Sequence, residues 1–479
     1  MRFYLIIPFI TIDFTVGGCL AVVLNSTTCD SGCTKRAFTA HEFENDQHAH
    51  NLDPFYTTPT NFSSAAAPGM LLSVEVATNM STYSVPSGLS MSRILYITED
   101  LNGTTLPASA YILWPYSSLQ STGNSNSGHP VVAWAHGTSG MFKACAPSNY
   151  RSLQYHFMAP FLLATQGMVV VAPDYAGLGV DSFPSGEKIL HPWLAGPAQA
   201  NDIAHAITAA RAAFPGLLKP EGPFVVTGHS QGGGAAWAFA ERQADKPLKG
   251  YKGAVAIAPP PRVFKQYEAA LADPSLPYAF TSLGIPPKLV AAVTAAFPAY
   301  NYSGFTAISS DRWHNVVKPL QGCLPMDFRV FQDVPADQLA KTSWHKDATV
   351  QRYARMTEIG GKKFKGPMLV LASNTDLVVS LDTIESAVDD TCKLIGDERL
   401  KESMEMVTYK GVNHFPLIQA SQGLWLDWVK TRFGSGAEPK NGCTRKSVDG
   451  LRTEFTFPSI TPNFLEVWAP PEDFWKYFL

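Results

Sequence analysis

Residues Val225–Ala240 read VVTGHSQGGGAAWAFA, and the interpretation of the whole chain turns on them. The opening Val-Val-Thr suits a buried strand. The closing segment from Gly234 is small or apolar, which suits a helix packed on all sides. Between them, Gly228-His229-Ser230-Gln231-Gly232 fits G-x-S-x-G. At a strand-to-helix turn of this kind the serine takes a strained backbone conformation that lifts its hydroxyl clear, and the flanking glycines let neighbouring backbone come close. The bland alternative is a serine that merely caps a helix. The strand before it and the small-residue helix after it favour Ser230 as a nucleophile.

A serine nucleophile needs a base, and the base needs an orienting carboxylate. In this architecture the chain order is Ser, then Asp or Glu, then His. Of the 12 histidines, only His314, His345 and His414 follow Ser230. The first two fall in a region without convincing strands. His414 lies in Tyr409–Phe415 (YKGVNHF), between a strand and a helical stretch, where the base belongs. The acid should follow the strand MLVLAS that ends at Ser373, and Asp376 lies just past it. Asp382 is the main rival but reads as a first-turn residue of the next helix, and Asp389 and Asp390 lie deeper in that helix. The backbone N–H of Gln231, at a helix N-terminus, is expected to stabilise a developing oxyanion. A second donor is expected from Gly137 or Thr138, in the loop after the strand that starts VVAWA. His136 and His229 read as hydrogen-bonded or packing residues.

Strand-like and helical runs alternate around this motif. Strands are expected at Pro130–Ala135, Met168–Ala172, Phe224–Thr227, Ala254–Ala258 and Met404–Tyr409. Helices are expected at Gln154–Thr165, Ala198–Ala213, Gln231–Ala244 and Pro416–Arg432. Two alternating apolar runs around Asn102-Gly103 signal a hairpin. The fold class is therefore α/β, with a mostly parallel central sheet and helices on both faces. The rhythm breaks at Pro259-Pro260-Pro261, and about a hundred mainly helical residues intervene before MLVLAS. Within them, Pro287–Phe297 carries Leu289, Val290, Val293, Ala296 and Phe297, with Lys288 its one charge. That stripe is either core or a roof over Ser230 that forms part of an acyl pocket. The expected organisation is a signal peptide at 1–21, a first part of the core with a loose N-terminal arm at 22–259, a helical cap or lid at 260–356, and the rest of the core with an aromatic tail at 357–479.

The chain has 479 residues, 46% hydrophobic and 16% charged, an ordinary globular composition. A net charge of −3 without a basic block argues against nucleic acid as a partner. Arg2 followed by an apolar run and by Gly17, Gly18 and Ala21 resembles a secretory signal. Glycosylation sequons occur at Asn25, Asn61, Asn79, Asn102 and Asn301. If Cys19 leaves with the signal, Cys29, Cys33, Cys145, Cys323, Cys392 and Cys443 remain, an even set that suggests three disulfides in an oxidising compartment. Their spacing fits no metal site, and neither metal nor cofactor is expected.

From about residue 53 onward the chain resembles the fungal secretory lipases of the Candida antarctica lipase A-like group, within the α/β hydrolases. Segments Cys145-Ala146-Pro147-Ser148 and Gly322-Cys323-Leu324-Pro325 are similar to family segments whose cysteines are joined. Cys392 and Cys443 resemble a second family pair, which leaves Cys29 with Cys33. The resemblance implies an extracellular carboxylic-ester hydrolase with a helical cap, acting on a small-molecule or lipid ester with transient contact at a lipid interface. It departs from the family at the first oxyanion position, where His136-Gly137-Thr138-Ser139 replaces an acidic residue, and at His229 and Gln231. Alternatives are an esterase that deacetylates a fungal secondary metabolite of the trichothecene type, a peptidase or acyltransferase using the same residues, and a non-catalytic binding protein on this fold.

Overall fold

The computed structural model describes residues 24–49, 54–119, 128–154, 159–273, 284–396, 402–434, 439, 441–450 and 475–476. The expected signal at 1–21 and most of the aromatic tail lie outside them. Ten strands form one sheet: β1 (Leu71–Glu75), β2 (Leu89–Glu99), β3 (Thr105–Pro115), β4 (Val131–Ala135), β5 (Val169–Pro173), β6 (Phe224–His229), β7 (Tyr251–Ile257), β8 (Met368–Ser373), β9 (Ser403–Tyr409) and β10 (Gly442–Val448). Their spatial order is β1-β2-β3-β5-β4-β6-β7-β8-β9-β10. From β5 to β10 every neighbour is parallel, while β1, β2 and β3 add an antiparallel extension built on the Asn102-Gly103 hairpin.

The described helices are α1 (Ser31–Gln47), α2 (Ala159–Thr165), α3 (Gly196–Ala213), α4 (Gln231–Asp245), α5 (Val263–Ala272), α6 (Ile285–Ala296), α7 (Ala307–Arg312), α8 (Leu324–Phe331), α9 (Ala348–Thr357), α10 (Leu381–Gly396), α11 (Pro416–Ala420) and α12 (Gln422–Thr431). The central strands are apolar on both faces because both faces are covered. Phe224 and Val226 of β6 join α3, α4 and α10 in one core. Val225 joins α2, α11 and α12 in the other. The same alternation of period two runs through β4 and β8.

Helices α5–α9 lie between β7 and β8 and enclose an interior of their own, with Leu289, Val293, Val316, Val330 and Phe331 fully buried. Helix α6 is apolar on all sides, and its Lys288 is also buried, 3.4 Å from the equally buried Asp327 of α8. Burial pushes the Asp327 carboxyl up to about 6 and the Lys288 ammonium down, while each partner favours the other's charged form. The α6 stripe thus belongs to the interior of this region.

Three expectations need correction. The described residues of the arm, expected over 22 to about 90, are not loose. They contain β1 and the 17-residue α1, capped where Asp30 Oδ1 accepts from Cys33 N at 2.8 Å. Cys33, Ala37, Ala40 and Glu44 fall on one buried face, and Glu44 accepts from Cys323 N (3.0 Å) and Met326 N (2.8 Å) in the first turn of α8. The stretch Pro416–Arg432 is two helices broken at Ser421, whose hydroxyl bonds back to Leu417 O. The helix expected at Gln154–Thr165 is described from Ala159, and Gln154 itself has φ +69. Also unforeseen is β10, parallel to β9 at the sheet edge.

Candidate active site

Strands β4, β6, β8 and β9 deliver the candidate residues at their carboxyl ends, where ligands meet open α/β sheets. Ser230 follows β6 with φ +56 and ψ −122, far from ordinary serine conformations. Its N–H donates to Ile257 O of β7 at 2.9 Å, and its carbonyl accepts from Gly234 N at 3.0 Å. The bend is tight enough to require glycine. A Cβ at Gly232 would stand 1.9 Å from Ala135 O, and one at Gly228 would stand 2.2 Å from Gly232 O. Helix α4 therefore begins in backbone contact with the end of β4.

Asp376 and His414 come together in a closed environment. His414 Nδ1 donates to Asp376 Oδ2 at 2.8 Å, and both side chains are almost completely buried. That bond places the ring hydrogen on Nδ1 and leaves Nε2 with a lone pair. Asp376 Oδ1 accepts from Val378 N and Val379 N, each at 2.8 Å, which fixes the carboxylate. Asp382 stands in the first turn of α10, as the sequence suggests. Asn413 stitches the two loops, with Oδ1 accepting from Leu377 N (3.0 Å) and His414 N (2.7 Å). Thr375 Oγ1 donates to Val412 O at 2.7 Å beside them. The histidine loop also touches the serine turn: His229 Nε2 donates to His414 O at 3.0 Å, and the two rings lie 4.6 Å apart.

The other histidines here are kept neutral by burial. His136 is pushed down to about 3 and His191 to about 4, and His229 falls well below its ordinary value, burial first and the nearby His414 second. His136 stacks on Tyr175 at 4.1 Å, and its ring nitrogens face Gly137 O and Asp174 O.

Gln231 is buried at the first position of α4, and Thr138 is half-buried in the loop after β4 beside the buried Gly137. The loop is held from the α5–α9 region. Leu324 N donates to Ser139 O at 2.9 Å, and the Cys145–Cys323 disulfide packs on Gly140, where a Cβ would meet Cys145 Sγ at 2.4 Å. Disulfides also join Cys392 to Cys443, from α10 to β10, and Cys29 to Cys33 at the start of α1. Gln266 of α5, fully enclosed, donates to Val378 O (2.7 Å) and accepts from Ser380 N (3.1 Å), so the acid loop is anchored to the same region. Asn413 and Gln266 were not foreseen. Each is one polar residue in a loop or helix with no motif around it, and only the folded chain shows what it holds.

A cavity of about 240 Å³ lies between Pro260, Val263 and Phe264 on one side and Leu194, Leu289 and Tyr353 on the other; neither Ser230 nor His414 lines it. Among the described residues no cluster of three or more His, Cys, Asp or Glu is placed to hold a metal ion, and no helix is long and apolar enough to cross a membrane. All five sequon asparagines are exposed.

The alpha/beta hydrolase family matches residues 132–424, a span that runs from β4 through His414. This chain belongs to the alpha/beta hydrolase family. Among solved structures, this alpha/beta hydrolase is similar to Candida antarctica lipase A in its closed state, with a TM-score of 0.64 at 16% identity over 85% of this chain and 92% of that one. It is also similar to the rice cell wall degrading esterase LipA from Xanthomonas oryzae, with a TM-score of 0.54 at 19% identity over 76% of this chain and 100% of that one. No curated protein matches the sequence.

Proposed function

We propose that the chain is a secreted serine carboxylic-ester hydrolase that works through an acyl-enzyme. The observation that carries the reading is the Nδ1–H bond from His414 to Asp376 Oδ2, which fixes the ring in the loop packed against the Ser230 turn. In this reading Ser230 Oγ attacks the ester carbonyl while His414 Nε2 takes its proton. Asp376 holds the ring in that tautomer and stabilises the imidazolium. The backbone N–H groups of Gln231 and of Thr138 or Gly137 receive the oxyanion. The alcohol leaves with the proton from His414, and a water activated by the same nitrogen releases the acid.

The names of the two similar structures, a lipase and an esterase, support a carboxylic ester as the substrate class. Three disulfides and five exposed sequons support an extracellular site of action. The test is hydrolysis of nitrophenyl esters from acetyl to oleoyl by the purified protein, with Ser230→Ala alongside. Turnover that depends on Ser230 is expected. Equal rates for the two proteins would remove the reading. A maximum at acetyl would replace a lipase by a deacetylating esterase.

A further inference from the structure

Thr138 and Gln231 come from loops far apart in sequence, yet one short segment holds both: His191-Pro192-Trp193, in the connection from β5 to α3. Gln231 Nε2 donates to His191 Nε2 at 3.1 Å. His191 Nδ1 donates to Ala176 O at 3.0 Å, so its tautomer is set: one nitrogen gives, the other receives. Two residues on, Trp193 Nε1 donates to Thr138 Oγ1 at 2.9 Å.

The direction of that last bond matters. An indole N–H can only donate, so Thr138 Oγ1 is the acceptor. The hydroxyl keeps its own proton for a different partner, and its χ1 is fixed by a neighbour that is only 4% exposed. Trp193 is in turn held by the α5–α9 region. Tyr353 Oη of α9 donates to Trp193 O at 2.5 Å, and the Lys288 ammonium of α6 stands 5.4 Å from the indole ring. The next residue, Leu194, is left at φ +60, a left-handed conformation that a leucine adopts only when its surroundings impose it. Strain of this kind clusters where geometry is held for function.

We propose that Trp193 is a positioning residue for the oxyanion hole: it fixes Thr138 so that the threonine hydroxyl, as well as the loop backbone, donates to the oxyanion formed at Ser230. His191 performs the parallel service for Gln231, and the α5–α9 region thereby sets the spacing of donors that belong to the sheet. The inference rests on the proposed ester hydrolysis and adds a donor and its support to it.

The experiment measures kcat and KM for a short nitrophenyl ester with the full-length protein, Trp193→Phe, Thr138→Val, the double variant and Thr138→Ser. Trp193→Phe removes the N–H donor together with the five-membered half of the indole, so its effect on the oxyanion is read from the double variant. It is expected to lower kcat about 10-fold with KM within about 2-fold, and Thr138→Val about 100-fold, the scale of one lost oxyanion donor. In the double variant the Trp193 change should add no more than about 2-fold, and Thr138→Ser should recover most of what Thr138→Val loses. Circular dichroism and melting temperature establish that each variant is folded. If Trp193→Phe misfolds, the Thr138→Val and Thr138→Ser pair still decides whether the hydroxyl acts. Unchanged kcat in folded Trp193→Phe, or losses that multiply in the double variant, would overturn the proposal while leaving ester hydrolysis intact. An unmodified protein without Ser230-dependent turnover would remove both.

Discussion

The sheet and the α5–α9 region solve the problem of burying polar groups in opposite ways. At the carboxyl ends of the strands, the Asp376 carboxylate is satisfied by hydrogen bonds: it receives two from backbone N–H groups and one from His414. Inside the α5–α9 region, the Lys288 ammonium is buried beside the Asp327 carboxyl, and Glu44, from a helix near the N-terminus, accepts from backbone N–H groups in the first turn of α8. The first arrangement holds one reactive geometry and should contribute little to global stability. The second contributes little chemistry and should be costly to disturb. The division is blurred at Gln266, Cys323 and Tyr353, where the second region reaches into the first or holds the Trp193 segment beside it.

The sharpest break of this contrast is at the site itself. Ser230→Ala and His414→Ala are expected to lose at least ~10⁴-fold in kcat with an unchanged melting temperature, and Asp376→Asn about 10⁴-fold through the wrong tautomer. Steady-state kinetics and thermal unfolding on the same samples check both halves. A variant that lost stability in step with activity would show the two regions to be one cooperative unit.

The converse concerns the buried pair. Asp327→Ala leaves the Lys288 ammonium without its carboxylate and should cost about 3–5 kcal/mol, whereas replacing both members by Met and Leu should restore much of it. Denaturant titration measures this. Val293→Asp belongs with it. Because Val293 is fully enclosed in the α5–α9 interior, the charge should lower stability and reduce acetate and oleate hydrolysis to the same degree. Selective loss on long chains would instead return the α6 stripe to the acyl site.

The smallest expected effect is a dependence on pH. Burial raises the Glu44 carboxyl from 4.5 to about 8, against the two backbone N–H groups that favour its anion. The folded chain therefore holds a proton that the unfolded chain releases above 4.5. The contribution of this group is complete below that value and declines as pH rises toward 8. Glu44→Gln should flatten the decline between pH 5 and pH 8, by on the order of 1–3 kcal/mol relative to the unmodified protein. Equal slopes in denaturant midpoint against pH would show that Glu44 is not the source.

What could be read in the sequence divides along the same line. The Ser230 turn announces itself because steric demand forces glycine at 228 and 232, and the parallel strands announce themselves as unbroken apolar runs. His414 and Asp376 follow from chain order. Helix α1 does not announce itself. SGCTKRAFTAHEFENDQ buries only Cys33, Ala37, Ala40 and Glu44, and its support comes from residues nearly 300 positions away, such as Arg329, whose carbonyl accepts from Arg36 Nε at 3.0 Å. Periodicity within a segment cannot report a partner that distant. Strand β10 was missed for a related reason: TRKSV lacks the apolar face of a buried strand, because nearly all of it is exposed.

That exposed strand has a consequence for the protein in bulk. An outermost strand presents a row of unsatisfied backbone groups that another molecule's strand can join, which is how sheet proteins begin to aggregate. Here Arg445 and Lys446 are neighbours on that strand, the first paired with Asp389 and the second with Glu405 at 2.6 Å, and Cys443 ties the strand to α10. A strand added from another molecule would have to lie against two charged side chains on a backbone that cannot peel away to meet it. Among the described residues the sheet thus ends in a border that resists growth, a useful property for an enzyme whose proposed working place is outside the cell, beyond the reach of chaperones.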